Sequence, residues 1–275
     1  MESGDCNLIG VVVCLFVCCA SGCSDNFYLL ANQTDGQNQL NWFGDVLAQA
    51  AALGEKAIVI CHAPLPDWND GFANAFLGIA TRYRSTLVNA FMGHTHTNEF
   101  NALHERLADG SKGEPAWVAW VGGSVVPYTD VNPGFMRYLY DRAAVAAQSN
   151  YSTLVQAAVG HWIDLAQANA ANSTKELWMN SARYNVTADM DVKTLDAATL
   201  AALAPLFGSN ERQYQSYVSG MFKGAVQPSG GVPTPQQVAC AVVSDTAAQK
   251  HMCMHAAGHN EKQIQAIEKQ DRERC

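Results

Sequence analysis

Charge is scarce in this sequence, and basic charge scarcer still. Only 15% of the 275 residues are charged, and 25 Asp and Glu outweigh 17 Lys and Arg, for a net charge of −8. That balance argues against a nucleic acid polymer as natural partner, because a phosphate backbone is met with clustered Lys and Arg. It does not exclude a phosphate ester held through a metal. The apolar run at residues 8–20 falls short of the roughly 20 apolar residues that a bilayer-crossing helix needs. Residues 1–5 lack any Lys or Arg and carry Glu2 and Asp5 instead, whereas a secretory signal normally opens on basic charge. The run therefore reads either as a signal-like segment or as a buried β-strand rich in Val and Leu. No internal repeat is present.

What is there belongs to a globular protein. Hydrophobic residues make up 48% of the chain, enough to bury the core of one large domain or two small ones. Nine cysteines are present; Cys6, Cys14, Cys18, Cys19 and Cys23 crowd the start, and Cys61, Cys240, Cys253 and Cys275 follow. Glycosylation sequons occur at Asn32, Asn150, Asn172 and Asn185. Together with the late cysteines they favour a secretory route.

Thr34 and Asp35 offer a helix start, and Leu40, Phe43, Val46, Leu47, Ala50 and Ala51 follow at helical spacing up to Gly54. Residues 57–61 form a short apolar run of the parallel-strand type. Residues 71–89 predict a second helix and 90–92 a short strand ending at Gly93. Residues 115–121 and 135–140 predict two more strands, the last entered through Asn132-Pro133-Gly134. From about residue 143 to 221 the spacing predicts helices. Residues 227–235 are a Pro/Gly linker, and 238–270 predict a final helical stretch with a charged tail.

Gly93-His94-Thr95-His96 follows a predicted strand directly, and ligands in open α/β sheets sit at the carboxyl ends of strands. In extended backbone the two histidines face one way, about 7 Å apart. Paired hydrolytic metals lie about 3.5–4 Å apart, so one His could serve each. The plainer reading is two surface histidines in a loop. His62 also ends a predicted strand, and two successive αβ units that deliver histidine to one sheet edge raise the metal reading of both. Imidazole nitrogen is a good zinc ligand. His104, in a polar stretch, reads as solvated, and His161, beside Trp162 on a predicted helix, as a packing residue. His251 and His255 are four apart on the terminal helix around Cys253 and could share a face; a structural metal there would want a second Cys pair, which the surroundings lack.

These residues resemble the acid sphingomyelinase and sphingomyelinase-like phosphodiesterase family of the metallophosphoesterases. The similarity takes in Asn26-Phe27-Tyr28-Leu29-Leu30, Gln39-Leu40-Asn41-Trp42, the strand and loop 58–64, and Ala80-Thr81-Arg82-Tyr83 leading into 91–96. Asn132-Pro133-Gly134-Phe135 with Arg137, Tyr138 and Asp141 extends it. It is good over residues 23–141 and continues more weakly to the end. The resemblance implies an α/β fold: residues 23–142 as the C-terminal half of a two-sheet metallophosphoesterase sandwich with flanking helices, and 143–275 as a small helical C-terminal domain. It implies a two-zinc phosphodiesterase cleaving sphingomyelin to ceramide and phosphocholine, or a related phospholipid or nucleotide diester. Secretion or a lysosomal location, and contact with a membrane surface, go with that implication. By position, His62 and His94 resemble ligands of the second zinc and His96 a ligand of the first.

The departures are on one side of the site. No Asp-x-His or Gly-Asn-His precedes His62, the first histidine of the chain, so the bridging Asp, one ligand Asn and the proton-donating His of the family pattern are missing. Cys61 replaces a glycine before the strand-end His. Relatives tend to pair a Cys at the position of Cys23 with one just after the His-Pro loop, and no Cys stands at 63–70. Cys240, Cys253 and Cys275 are disulfide candidates with the scheme open. Residues 1–22 fall where the family has a core strand, as a chain begun inside the domain would place them. Little turnover by this chain alone is therefore expected. The competing expectation is a non-catalytic secreted glycoprotein that keeps this half of the fold to bind a partner. Trp68, Tyr83 and Tyr128 are candidate cleft walls.

Overall fold

The computed structural model describes residues 11–15, 38–140, 155–171, 182–226, 228 and 231–273. The sequons at Asn32, Asn150 and Asn172, the helix start at Thr34 and Asp35, and Cys275 lie outside them.

Two sheets carry the fold. The first holds β1 (Val11–Leu15), β2 (Ala57–Cys61), β3 (Leu87–Met92), β4 (Glu99–Arg106) and β5 (Lys112–Val121), in the order β1-β2-β3-β5-β4. All pairings are parallel except that of β4 with β5. The second is antiparallel, with β6 (Gly134–Tyr140), β7 (Val155–Trp162) and β8 (Ala182–Asn185) in that order.

β5 shows why the first sheet lies in the middle. Successive side chains of a strand point to opposite faces, and both faces of β5 are apolar. Trp117, Ala119 and Val121 join one core, while Val118 and Trp120 join the other. The first core is completed by α1 (Gln39–Leu53) and α2 (Asp70–Arg82), through Phe43, Leu47, Phe72, Phe76 and Leu77. In the second, Phe100, Val118 and Trp120 meet Val155, Ala158 and Trp162 of the other sheet, with Leu200, Phe207 and Tyr217 behind them. Continuous apolar strands covered on both sides are what a parallel sheet requires.

Local signals set the helix ends. Gly54 ends α1 with φ 68° and donates its N–H to Ala50 and Ala51 carbonyls, a conformation that favours glycine. Asn69 caps α2 by accepting from the N–H groups of Gly71 and Phe72.

The later helices are α3 (Leu165–Ala171), α4 (Val186–Asp189), α5 (Ala197–Ala201), α6 (Glu211–Met221), α7 (Pro235–Val243), α8 (Ala247–Ala256) and α9 (Glu261–Glu273). The predicted linker ends in a capping box, Thr234 with Gln237, and Pro235 starts α7. A disulfide joins Cys240 of α7 to Cys253 of α8.

Several expectations need correction. Residues 155–162 and 182–185 are strands rather than helices; Ala157, Ala158 and Gly160 carry too little side chain to mark a strand. The last helical stretch is three helices, broken after Val243 and after Ala256. His161 is on β7, stacked against Phe135 at 5.0 Å between ring centroids. His104 is not solvated. It lies buried on β4, where its backbone N–H donates to Asp245 and its Nδ1 lies 3.0 Å from the same carboxylate. Arg106 holds the other Asp245 oxygen at 2.9 Å. Buried charge is tolerable here because it is paired and hydrogen-bonded. Among the described residues, no helix is long and apolar enough to cross a membrane.

Candidate metal centre

β2, β3 and β5 run parallel, so their carboxyl ends share one edge of the sheet. His62 follows β2, Gly93-His94-Thr95-His96 follows β3, and Gly122-Gly123-Ser124 follows β5. Backbone bonds join the three exits: Gly93 N–H donates to His62 O at 2.8 Å, Gly122 N–H to Met92 O at 2.8 Å, and Ser124 N–H to His96 O at 3.2 Å.

The loop after β3 is not extended. His94 and His96 have φ of 79° and 62°, a region costly for any residue with a Cβ. The expectation of two histidines facing one way along extended backbone therefore fails. The turn separates them. His94 Nδ1 lies 3.0 Å from His62 Nε2, while the His96 ring packs edge-on against Tyr128 at 5.3 Å. The His96 Nδ1 is buried with no hydrogen-bond partner.

Burial and neighbouring charge favour the neutral form of His94 and His96. Burial, then the neighbouring His62 and His96, lower the His94 pKa to about 4. Burial, then the charge of Lys223, then His62, lower that of His96. A neutral imidazole offers a lone pair to a metal; an imidazolium does not.

Lys223 was not singled out by sequence reasoning. It follows α6, is fully buried, and donates from Nζ to His96 O at 2.8 Å and Ser124 O at 3.0 Å. Burial lowers its pKa to about 8. A lysine between Phe222 and Gly224 just past a helix was the available signal. Asn98 secures the same loop: its Oδ1 accepts from Gly123 N–H at 2.9 Å, and its Nδ2 donates to Gly220 O at 3.1 Å. A Cβ on Gly123 would lie 2.6 Å from that Oδ1, so only glycine fits.

Of the candidate cleft walls, Tyr128 borders His96. Trp68 is a core residue, 2% exposed and packed edge-on against Phe72 and Phe76. Tyr83 packs against the same core.

The residues fit a zinc ion in part. Two ligands of a tetrahedral zinc lie about 3.3 Å apart, given Zn–N distances near 2.0–2.1 Å, and His62 and His94 nearly meet that spacing. The unpartnered Nδ1 of His96 is a further free donor. The three imidazoles do not, however, converge as one three-ligand group, and among the described residues no Asp or Glu completes them.

No family model matches the chain. Individual relatives do. It is 28% identical to sphingomyelin phosphodiesterase B of Dictyostelium discoideum over 244 residues, 86% of this chain and 36% of that protein. It is 29% identical to human sphingomyelin phosphodiesterase over 236 residues, 84% of this chain and 35% of the relative. Human cyclic GMP-AMP phosphodiesterase SMPDL3A is 25% identical over 207 residues, 70% of this chain and 42% of the relative. The chain thus spans between about a third and two-fifths of the length of these curated relatives. Over most of its length the chain is similar to one part of several sphingomyelin phosphodiesterases and acid sphingomyelinase-like phosphodiesterases.

Proposed function

We propose that this chain supplies one side of the zinc site of a phosphoric diester hydrolase. His62 and His94 hold one zinc ion and His96 a second. The 3.0 Å approach of His94 Nδ1 to His62 Nε2 carries the reading, because two imidazole nitrogens at that distance, one of them on the left-handed loop after β3, are spaced nearly as two ligands of one cation. When bound there, zinc supplies Lewis-acid stabilisation of negative charge on phosphoryl oxygens and activates water. The chain's own part is to present neutral imidazoles, hold the His96 loop through Lys223 and Asn98, and border the site with Tyr128.

The substrate class in this reading is a phosphodiester. Relatives are named for sphingomyelin and for cyclic GMP-AMP, and both compounds carry that group. The Cys240–Cys253 disulfide supports a secreted or lysosomal setting, where such bonds persist.

A second reading is a non-catalytic binding module. It is favoured by the lack, among the described residues, of a carboxylate joined to the three histidines. The two readings part on turnover. Purified chain assayed on bis(4-nitrophenyl) phosphate with zinc is expected to show slow turnover or none, and turnover removed by His94→Ala would rule out the module. Zinc analysis tests the leading reading: His62→Ala and His94→Ala should each lower bound zinc, and unchanged zinc in both would end it.

A further inference from the structure

The C-terminal helices bring together a second group of ligands that shares no residue with the centre above. His251 and His255, one turn apart on α8, have ring centroids 5.1 Å apart. Both turn Nε2 toward the same atom, Oε2 of Glu261 at the start of α9, at 3.2 and 3.1 Å. The ligand atoms of all three lie within 4.8 Å of one another. We propose that His251, His255 and Glu261 form a metal site for a borderline divalent ion such as Zn2+, which clips α9 onto α8.

Three features separate this group from ordinary surface ion pairs. The first is spacing. Tetrahedral zinc needs ligand atoms about 3.3 Å apart, and both His–Glu separations are there already. The second is orientation from behind. His251 Nδ1 lies 2.9 Å from Glu268 Oε1, and a donated Nδ1–H leaves the Nε2 lone pair aimed at Glu261. This is the carboxylate–histidine arrangement that positions metal-bound imidazoles. The other oxygen of Glu261 is occupied in turn, because Gln265 Nε2 donates to Oε1 at 2.9 Å and leaves Oε2 for the cation.

The third is rigidity. Cys253, between the two histidines, is tied to α7 by its disulfide with Cys240. Ile264 of α9 is fully buried against Met254 and Cys240. Sites on fixed elements hold their ligands with less reorganisation than sites on loops. The side chains of His251, His255 and Glu261 remain 30%, 46% and 56% exposed, which leaves an entry path and room for water as fourth ligand. Imidazole with carboxylate suits zinc and copper better than calcium or magnesium.

The test is zinc titration of the full chain by calorimetry, joined to hydrogen exchange of α9. His255→Ala and Glu261→Gln alter exposed side chains and should each remove one zinc equivalent that His94→Ala retains. Glu268→Gln should keep that equivalent but bind it roughly 10–100-fold more weakly. Zinc should slow exchange in α9 of wild type and of His94→Ala, and leave His255→Ala unchanged. If His255→Ala and Glu261→Gln titrate like wild type, or if zinc leaves α9 exchange unaltered, the proposal fails. Neither outcome depends on whether His62 and His94 bind zinc.

Discussion

His94 and His96 sit in left-handed backbone at φ 79° and 62°, each at a cost of order 1–3 kcal/mol. The surroundings must hold them there, and Lys223 does much of that holding. Lys223→Met would remove the buried donor that the carbonyls of His96 and Ser124 share and leave each with one backbone donor, Ser124 N–H and Gly134 N–H, at roughly 1–3 kcal/mol for the lost charge-assisted bonds. Urea denaturation should show a lower midpoint, and zinc affinity should fall with it; an unchanged midpoint would dismiss the role. A pH dependence follows from His94. The unfolded chain binds this proton near pH 6.5 and the folded chain only near 4, so between these values the unfolded state carries more protons. The stability is present above pH 6.5 and is lost as pH falls toward 4. Chemical denaturation of the metal-free chain at pH 7, 5.5 and 4 should show this loss, and His94→Asn should flatten it. The candidate ligands were legible because each follows an apolar run at a strand end. Lys223 was not, since its partners lie 127 and 99 residues away in sequence.

At the scale of elements, legibility followed apolar pattern. α1 and β2 announce themselves by periodicity and by Gly54, and the structure has β2 at its predicted limits; α2 ends at Arg82 instead of 89, and residues 87–89 open β3. β4 was missed because Asn101, His104 and Arg106 look like a solvated loop, although all three are buried. They are buried because a distant segment supplies partners: Asn101 donates to Ala241 O, and Asp245 takes His104 and Arg106. Asp245→Ala should therefore cost about 3–5 kcal/mol, the usual penalty for stranding a buried charge. Thermal denaturation would read it as a clear drop in Tm, and a change within error would mean the network contributes nothing. β7 escaped recognition for another reason: Ala157, Ala158 and Gly160 have little side chain with which to declare a strand.

For the whole molecule, the first sheet has helices on one face and the second sheet on the other. That arrangement aims the ends of β2, β3 and β5 at one edge and lets the C-terminal region reach it through Lys223. The alternation of helices with apolar strands was readable from the residues, and two sheets with flanking helices were what the family resemblance implied; the second sheet's strands after residue 143 were not foreseen. The central claim is that His62 and His94 share a zinc ion. The most direct measurement is zinc calorimetry of the His255→Ala chain, with the C-terminal ligand group disabled, compared with the same chain carrying His94→Ala as well. The account predicts zinc binding in the first and a loss of at least about 100-fold in affinity, near 3 kcal/mol, in the second. Superimposable titrations of the two chains would contradict it.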